Sequence, residues 1–127
     1  MDKRDIEKLE KVSGQIDGLH REISALVKKS PNDALNKFKL SFVNTALAEA
    51  NAVLGSAYQP FASFTQFNED DVPSNSDVAM ILAQYLEELE RKRADNLTRS
   101  AGLWVYEIDG KPSDIRTAAP KKLDSKK

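Results

Sequence analysis

The chain has 127 residues, which is the size of one small domain, and 31% of them are charged. Its 19 Lys and Arg residues are balanced by 20 Asp and Glu residues to a net charge of -1, which argues against a general binder of nucleic acid or anionic membranes. There is no Cys and a single His, His20, so disulfides, thiolate zinc sites, cysteine nucleophiles and a multi-histidine metal site within one chain are excluded.

The sequence contains no membrane or secretory signal of the usual kinds. No continuous apolar stretch follows the basic residues near the N-terminus, as a secretory signal requires. The longest purely apolar run, residues 78–83, is far shorter than the roughly 18 residues that span a bilayer. Together with the lack of Cys, these features predict a cytoplasmic protein.

A heptad seam, with apolar side chains three and four residues apart, predicts a first helix over about residues 4–29. Such spacing keeps one narrow stripe facing a partner helix, as in a coiled coil. Gly14 and Gly18 each cost about 1 kcal/mol relative to Ala, and they either let another backbone come close or mark a weak middle. The seam residues are Ile6, Leu9, Val12, Ile16, Leu19, Ile23 and Leu26.

The second predicted helix covers residues 31–54. Ser30 fits its N-cap, Pro31 its first turn and Gly55 the position just past its end. The connection to the first helix is then very short, which predicts an antiparallel helical hairpin.

Two apolar seams lie about 120° apart on this second helix, which therefore needs cover on two sides and is the central element. The first seam, the candidate core or dimer seam, comprises Leu40, Val43, Leu47, Ala50 and Leu54. The second comprises Leu35, Phe38, Phe42, Ala46 and Val53.

The segment 56–75 is predicted to be the main loop, and it begins with aromatic residues at intervals of three. Such a period is typical of a 3₁₀ turn or an extended path. These side chains either anchor a protein partner or close the end of the helical bundle as part of its core. The residues are Tyr58, Phe61, Phe64 and Phe67. The acidic run 69–71 lacks the ligand spacing of a calcium loop and is interpreted as a solvated loop.

The C-terminal part begins with a third predicted helix over about 76–101, ended by Gly102. Leu103–Ile108 is predicted to be a strand, and the Asp109-Gly110 turn allows a short return strand. The residues from 120 to 127 are predicted to be a basic disordered tail. Candidate nucleic-acid contacts, as a local basic patch, are Arg91, Lys92, Arg93 and Arg99.

The predicted fold is mainly α, with a single domain over residues 1–119. It is a three-helix bundle built on the long antiparallel hairpin, with a short C-terminal β-strand or hairpin. Because three long helices expose much surface, we expect a homodimer that uses the second seam of the middle helix or the heptad of the first. The alternative is a monomer in which the outer helices cover both seams.

No catalytic constellation is recognisable, so we expect a protein that is not an enzyme. His20 is best interpreted as a residue at the helix surface or at the edge of the seam, and no cofactor, metal or small-molecule ligand is indicated. Two function classes remain. One is a protein-interaction module, such as an adaptor, regulator or structural subunit, acting through helix faces and the aromatic loop. The other is a nucleic-acid-associated accessory protein using the basic patch and the Lys-rich tail, which the charge balance makes the weaker prediction.

Overall fold

A computed structural model describes residues 1–121 and is mainly helical, with a small antiparallel sheet of three strands. The helices are α1 (Lys3–Lys29), α2 (Lys37–Tyr58) and α3 (Asn75–Asp95), with a 3₁₀ turn at Glu69–Asp71. The strands, in the spatial order β1-β2-β3, are β1 (Leu97–Ser100), β2 (Leu103–Ile108) and β3 (Lys111–Arg116). Most of the predicted tail lies outside the described residues. Of its first two residues, Pro120 is buried and Lys121 donates its backbone N–H to Glu90 at 3.0 Å.

Helix α1 follows the sequence prediction closely. It begins with a capping box, in which the carboxylates of Asp2 and Asp5 each accept the other residue's backbone N–H, at 2.9 and 3.0 Å. One stripe of the helix is buried, and the helix runs unbroken through both of its glycines. The fully buried members of the heptad seam are Ile6, Leu9, Val12, Ile16 and Ile23.

Helix α2 begins at Lys37 rather than at 31, because Ser30 serves the preceding helix. The backbone N–H of Ser30 donates to the carbonyl of Leu26 at 2.8 Å and so ends α1. The N-cap of α2 is Asn36, whose side chain accepts the N–H of Lys39 at 2.8 Å. Between the two helices, Ala34 pairs with Ser74 in an isolated β-bridge, so this connection is fastened to the segment before α3.

Helix α2 also continues past its predicted end at Leu54 to Tyr58. Gly55 has a φ of +66°, which favours glycine and breaks the regular helix, as expected for the residue after a helix end. One further turn follows, because the N–H of Gln59 donates to the carbonyl of Gly55 at 3.0 Å.

Helix α3 ends at Asp95 rather than at 101, and the last residues assigned to it form strand β1 instead. Leu97 is 7% exposed and pairs with Tyr106 of β2, so tertiary burial outweighs the helical continuation. Gly102, predicted to end the helix, has a φ of +81° in the turn between β1 and β2. The predicted strand 103–108 and the return strand after Asp109-Gly110 are both present.

The core lies where the three helices meet, with the sheet added at one side. Helix α1 packs more extensively against α3 than against α2. The two largest fully buried side chains are Tyr85 and Tyr106, and each hydroxyl has a partner: Asn51 at 2.8 Å and Glu10 at 3.1 Å. Within residues 1–121, none of the helices combines the length and apolar content that crossing a bilayer requires.

Candidate protein-interaction surface

The first apolar seam of α2 is part of the core. Its four candidate interface residues are at most 2% exposed, so they face the rest of the chain. These residues are Leu40, Val43, Leu47 and Leu54. Any partner that contacts α2 therefore meets the opposite side of the helix.

That opposite side presents two aromatic rings to solvent. Phe38 is 72% exposed and Phe42 is 53% exposed, and their rings pack edge to face with centroids 5.0 Å apart. Edge-to-face packing is the favoured arrangement of an aromatic pair, so the two rings form one apolar knob.

Towards its C-terminus, the same side of α2 carries small residues. We call this side the α2 outer face, and Glu49 is its single charged member. The face thus combines a large aromatic end with an end of small residues that also carries Glu49. Its residues, all exposed, are Phe38, Ser41, Phe42, Thr45, Ala48, Glu49 and Ala52.

A groove of about 380 Å³ runs between the α2 outer face and helix α1. Gly14 and Gly18 line it from α1, and a Cβ added to either would meet nothing within 4 Å. The glycines therefore leave open space beside Phe42 and Thr45, which line the groove from α2. Within the described residues no other backbone packs closely against either glycine, and α1 is continuous through both.

Charged residues are distributed unevenly along the edge of α1 beside this face. Lys8 and Lys11 line a separate pocket at the C-terminal end of α2, together with Glu49, Ala52 and Val53. At the other end, Glu22 lines the groove near Phe42, and its carboxylate lies 3.8 Å from the ammonium of Lys39. The edge of α1 thus carries basic residues at one end of the α2 outer face and an acidic residue at the other end.

A second, wider groove of about 930 Å³ separates the α2 outer face from residues 66–70. The acidic run that borders it forms the 3₁₀ turn Glu69–Asp71, and all three side chains are exposed. In the part of the chain that the structure describes, no group of three or more His, Asp or Glu side chains is arranged to hold a metal ion.

The aromatic segment is packed against the helices. Its four predicted side chains are half-buried on the core, and successive Phe rings pack edge to face at 6.3 and 5.0 Å. The hydroxyl of Tyr58 donates to Asp95 at 2.7 Å, and burial together with this carboxylate raises the pKa of Tyr58. These residues are Tyr58, Phe61, Phe64 and Phe67.

Two asparagines of α2 hold this segment in place. Asn44 accepts the N–H of Phe67 and donates to its carbonyl, both at 2.9 Å. Seven residues later, Asn51 donates to the carbonyl of Thr65 at 3.0 Å. Sequence analysis missed both residues. The available signal was the presence of two amides, two helical turns apart, in a mostly apolar stretch of α2.

The basic patch makes contacts within the chain. Arg91 lies 4.6 Å from the centre of the Tyr58 ring and donates to Glu88, while Lys92 donates to the carbonyl of Val53. The guanidinium of Arg93 binds Glu90 through two nitrogens, at 2.8 and 3.1 Å.

The remaining contacts of the patch lie at the C-terminal side. Arg93 also donates to Thr117 Oγ1 at 2.8 Å and to the carbonyls of Ala118 and Ala119, both at 2.9 Å. Arg99 lies over the Trp104 ring at 5.7 Å. These charges hold the residues after β3 and the end of α2 in place.

His20 is half-buried on α1, where its Nε2 lies 3.5 Å from the hydroxyl of Ser24, one turn away. This is the helix-surface position that the sequence suggested.

Comparisons with protein-family models, with curated proteins and with solved structures found no match to this chain.

Proposed function

We propose that this protein is a non-enzymatic interaction module, an adaptor, regulator or structural subunit, that binds a protein through the α2 outer face. The observation that carries the proposal is the exposed ring pair of Phe38 and Phe42. Single exposed apolar residues are ordinary, but aromatic residues that are grouped on a face nearly free of charge are typical of interface hot spots.

The aromatic segment supports this function less directly than the sequence suggested. Its rings contact the core, and its backbone is held by Asn44 and Asn51. We propose that the aromatic segment supports α2 from one side and so keeps the α2 outer face rigid.

The nucleic-acid alternative finds no comparable support. Arg91, Lys92 and Arg93 each bind carbonyl or carboxylate oxygens of the same chain, and those contacts would compete with phosphate. The same contacts give the basic patch a structural role, because they hold parts of the same chain together.

We further propose that the three helices form a bundle in which α1 and α2 are an antiparallel hairpin. Lys8, from the early part of α1, borders Ala52 and Val53 of late α2, whereas Glu22 approaches Lys39. Spin labels at positions 8 and 52 should accordingly lie close together, and labels at positions 8 and 39 far apart. The reverse ranking would refute the hairpin.

Site-specific photo-crosslinking in the native host tests the interaction function. A benzophenone amino acid at position 38 should give a discrete protein adduct, which is lost when Phe42→Ser is added. The matched control is position 80, because Met80 is 54% exposed but lies on α3. Identical adduct patterns from positions 38 and 80, or an adduct indifferent to Phe42→Ser, would contradict the proposal.

A further inference from the structure

We infer that the occupant of the α2 outer face is a second copy of this chain, paired antiparallel about a two-fold axis at Thr45. This inference rests on the proposed function, because it names the partner of the same surface. The supporting observation is how side-chain size and charge are distributed on either side of Thr45.

The shape of the face suits pairing with itself. When two antiparallel α2 helices pair about a two-fold axis at Thr45, a residue a given number of positions before Thr45 in one copy faces the residue the same number of positions after it in the other copy. Phe38 of one copy then meets Ala52 of the other, so a large side chain packs against a small one. The aromatic knob of each copy therefore packs against the small residues at the other end of the face in its partner, and the dimer contains this contact twice.

The groove beside α1 accepts the second ring. Phe42 lies one turn before Thr45, and in the antiparallel pair it points towards the groove beyond Thr45 in the other copy. Gly14 and Gly18 line that groove without side chains, open space lies where their Cβ atoms would be, and Glu49 lines the groove from α2. Any larger residue at these two positions would narrow the approach of the ring.

The charges along α1 are also complementary under this symmetry. Lys11 lies at the Ala52 end of the face, in a pocket that Glu49 also lines, and Glu22 lies at the Phe42 end, 3.8 Å from the ammonium of Lys39. Because the axis exchanges the two ends, Lys11 of each copy meets Glu22 of the other, which gives two equivalent ion pairs. A parallel pair, with its axis along α2, would place the two α1 helices on opposite sides of the α2 pair, so only the antiparallel arrangement brings Lys11 and Glu22 together.

The area available is sufficient for a modest interface. The two rings alone expose on the order of 250 Å² per copy, given the surface that a Phe side chain buries. The face from Phe38 to Ala52 is about 21 Å long at 1.5 Å per residue, and the groove beside α1 widens it. The rings of both copies together contribute about 500 Å², well below the roughly 1,600 Å² of a standard interface, so a weak, concentration-dependent dimer is expected.

Sedimentation equilibrium of the purified full chain tests the inference. At concentrations up to about 200 µM the mass should rise from 14.1 kDa towards twice that value. Thr45→Lys should weaken association at least tenfold, because it places two like charges on the axis. The control Gln84→Lys adds the same charge at an exposed position of α3 and should leave association unchanged.

Charge reversal tests the pairing itself. Lys11→Glu and Glu22→Lys should each weaken self-association, and an equimolar mixture of these two variants should recover it as a heterodimer. Circular dichroism confirms that each variant is folded.

A mass of 14.1 kDa at every concentration overturns the inference, as does a dimer that is insensitive to Thr45→Lys or a mixture that does not recover. If the chain stays monomeric while the probe at position 38 still captures a different protein, the interaction function stands and only the second copy is refuted.

Discussion

Alkaline pH should destabilise the fold through Tyr106, a fully buried residue of β2. Burial of the ring and the neighbouring carboxylate of Glu10 raise the pKa of Tyr106 from its ordinary value of 10.0 to about 12. The folded chain therefore holds the phenol proton more tightly than the unfolded chain does. The resulting stabilisation is complete below pH 10 and is lost as the pH rises from about 10 to about 12.

The magnitude follows from the size of this shift. Each unit of pKa difference corresponds to about 1.4 kcal/mol, so ionisation of Tyr106 removes about 2 to 3 kcal/mol from the free energy of unfolding above pH 12. Tyr106→Phe should cost about 1 kcal/mol near neutral pH, because it loses the hydrogen bond to Glu10, whose carboxylate is exposed and regains water. The variant has no proton to lose at this position, so it should become the more stable protein at about pH 11 and above.

Urea unfolding followed by circular dichroism, at a series of values between about pH 8 and pH 12, measures this crossover. Lysine side chains also titrate in this range, but both proteins contain the same lysines. The difference between their free energies of unfolding therefore reports on Tyr106. Glu10→Gln is the matched variant. It keeps an acceptor for the hydroxyl but removes the charge, and should move the crossover to higher pH. A difference between Tyr106→Phe and the parent that stays constant across the series would refute the reasoning.

Three substitutions test the packing and the polar contacts. Leu47→Ala should lower the free energy of unfolding by about 3 to 4 kcal/mol in chemical denaturation, whereas Leu103→Ala, at a side chain 43% exposed, should cost under about 1 kcal/mol. Asn44→Ala should release residues 59–68, seen as faster proteolysis there while the helices persist; cleavage unchanged from the parent would contradict the clamp. Arg93→Lys cannot bind Glu90 through two nitrogens, so hydrogen exchange should quicken after β3, and unchanged exchange would refute its role.

The burial pattern of the helices is largely predictable from the sequence. Apolar spacing records which side of a helix faces other parts of the chain, and α1 and the first seam of α2 are buried as that spacing indicates. The strand 103–108 was equally clear, because its β-branched and aromatic residues precede a turn that needs positive φ at Asp109 and Gly110.

The helix ends were less predictable, because contacts between distant parts of the chain decide them. Ser30 has the residue type of an N-cap, yet its carbonyl accepts the side-chain N–H of Asn75 at 2.9 Å. The backbone N–H of Ser30 donates to α1 at its C-terminal end, and Asn36 is the N-cap of α2. Local preference gives several acceptable caps, and the tertiary structure selects among them.

The basic patch illustrates a related limit. Composition shows a concentration of positive charge on α3, but it does not show that Arg93 binds Glu90 and the residues after β3. A charge that is already held by oxygens of its own chain must give up those bonds before it binds a phosphate. The position of each charge, rather than the number of charges, therefore separates a structural patch from a binding patch.

The second apolar seam of α2 is covered less uniformly than its sequence indicated. From the sequence its apolar residues were equivalent, and together they predicted that this whole side of the helix packs against another element. The folded chain buries Leu35 and Ala46 itself and half-buries Val53, which leaves only Phe38 and Phe42 exposed. The exposed apolar surface of this seam is therefore confined to the N-terminal turns of α2, where no element within residues 1–121 covers the two rings. A small interface centred on the α2 outer face would cover these two rings better than a long coiled coil along the whole helix.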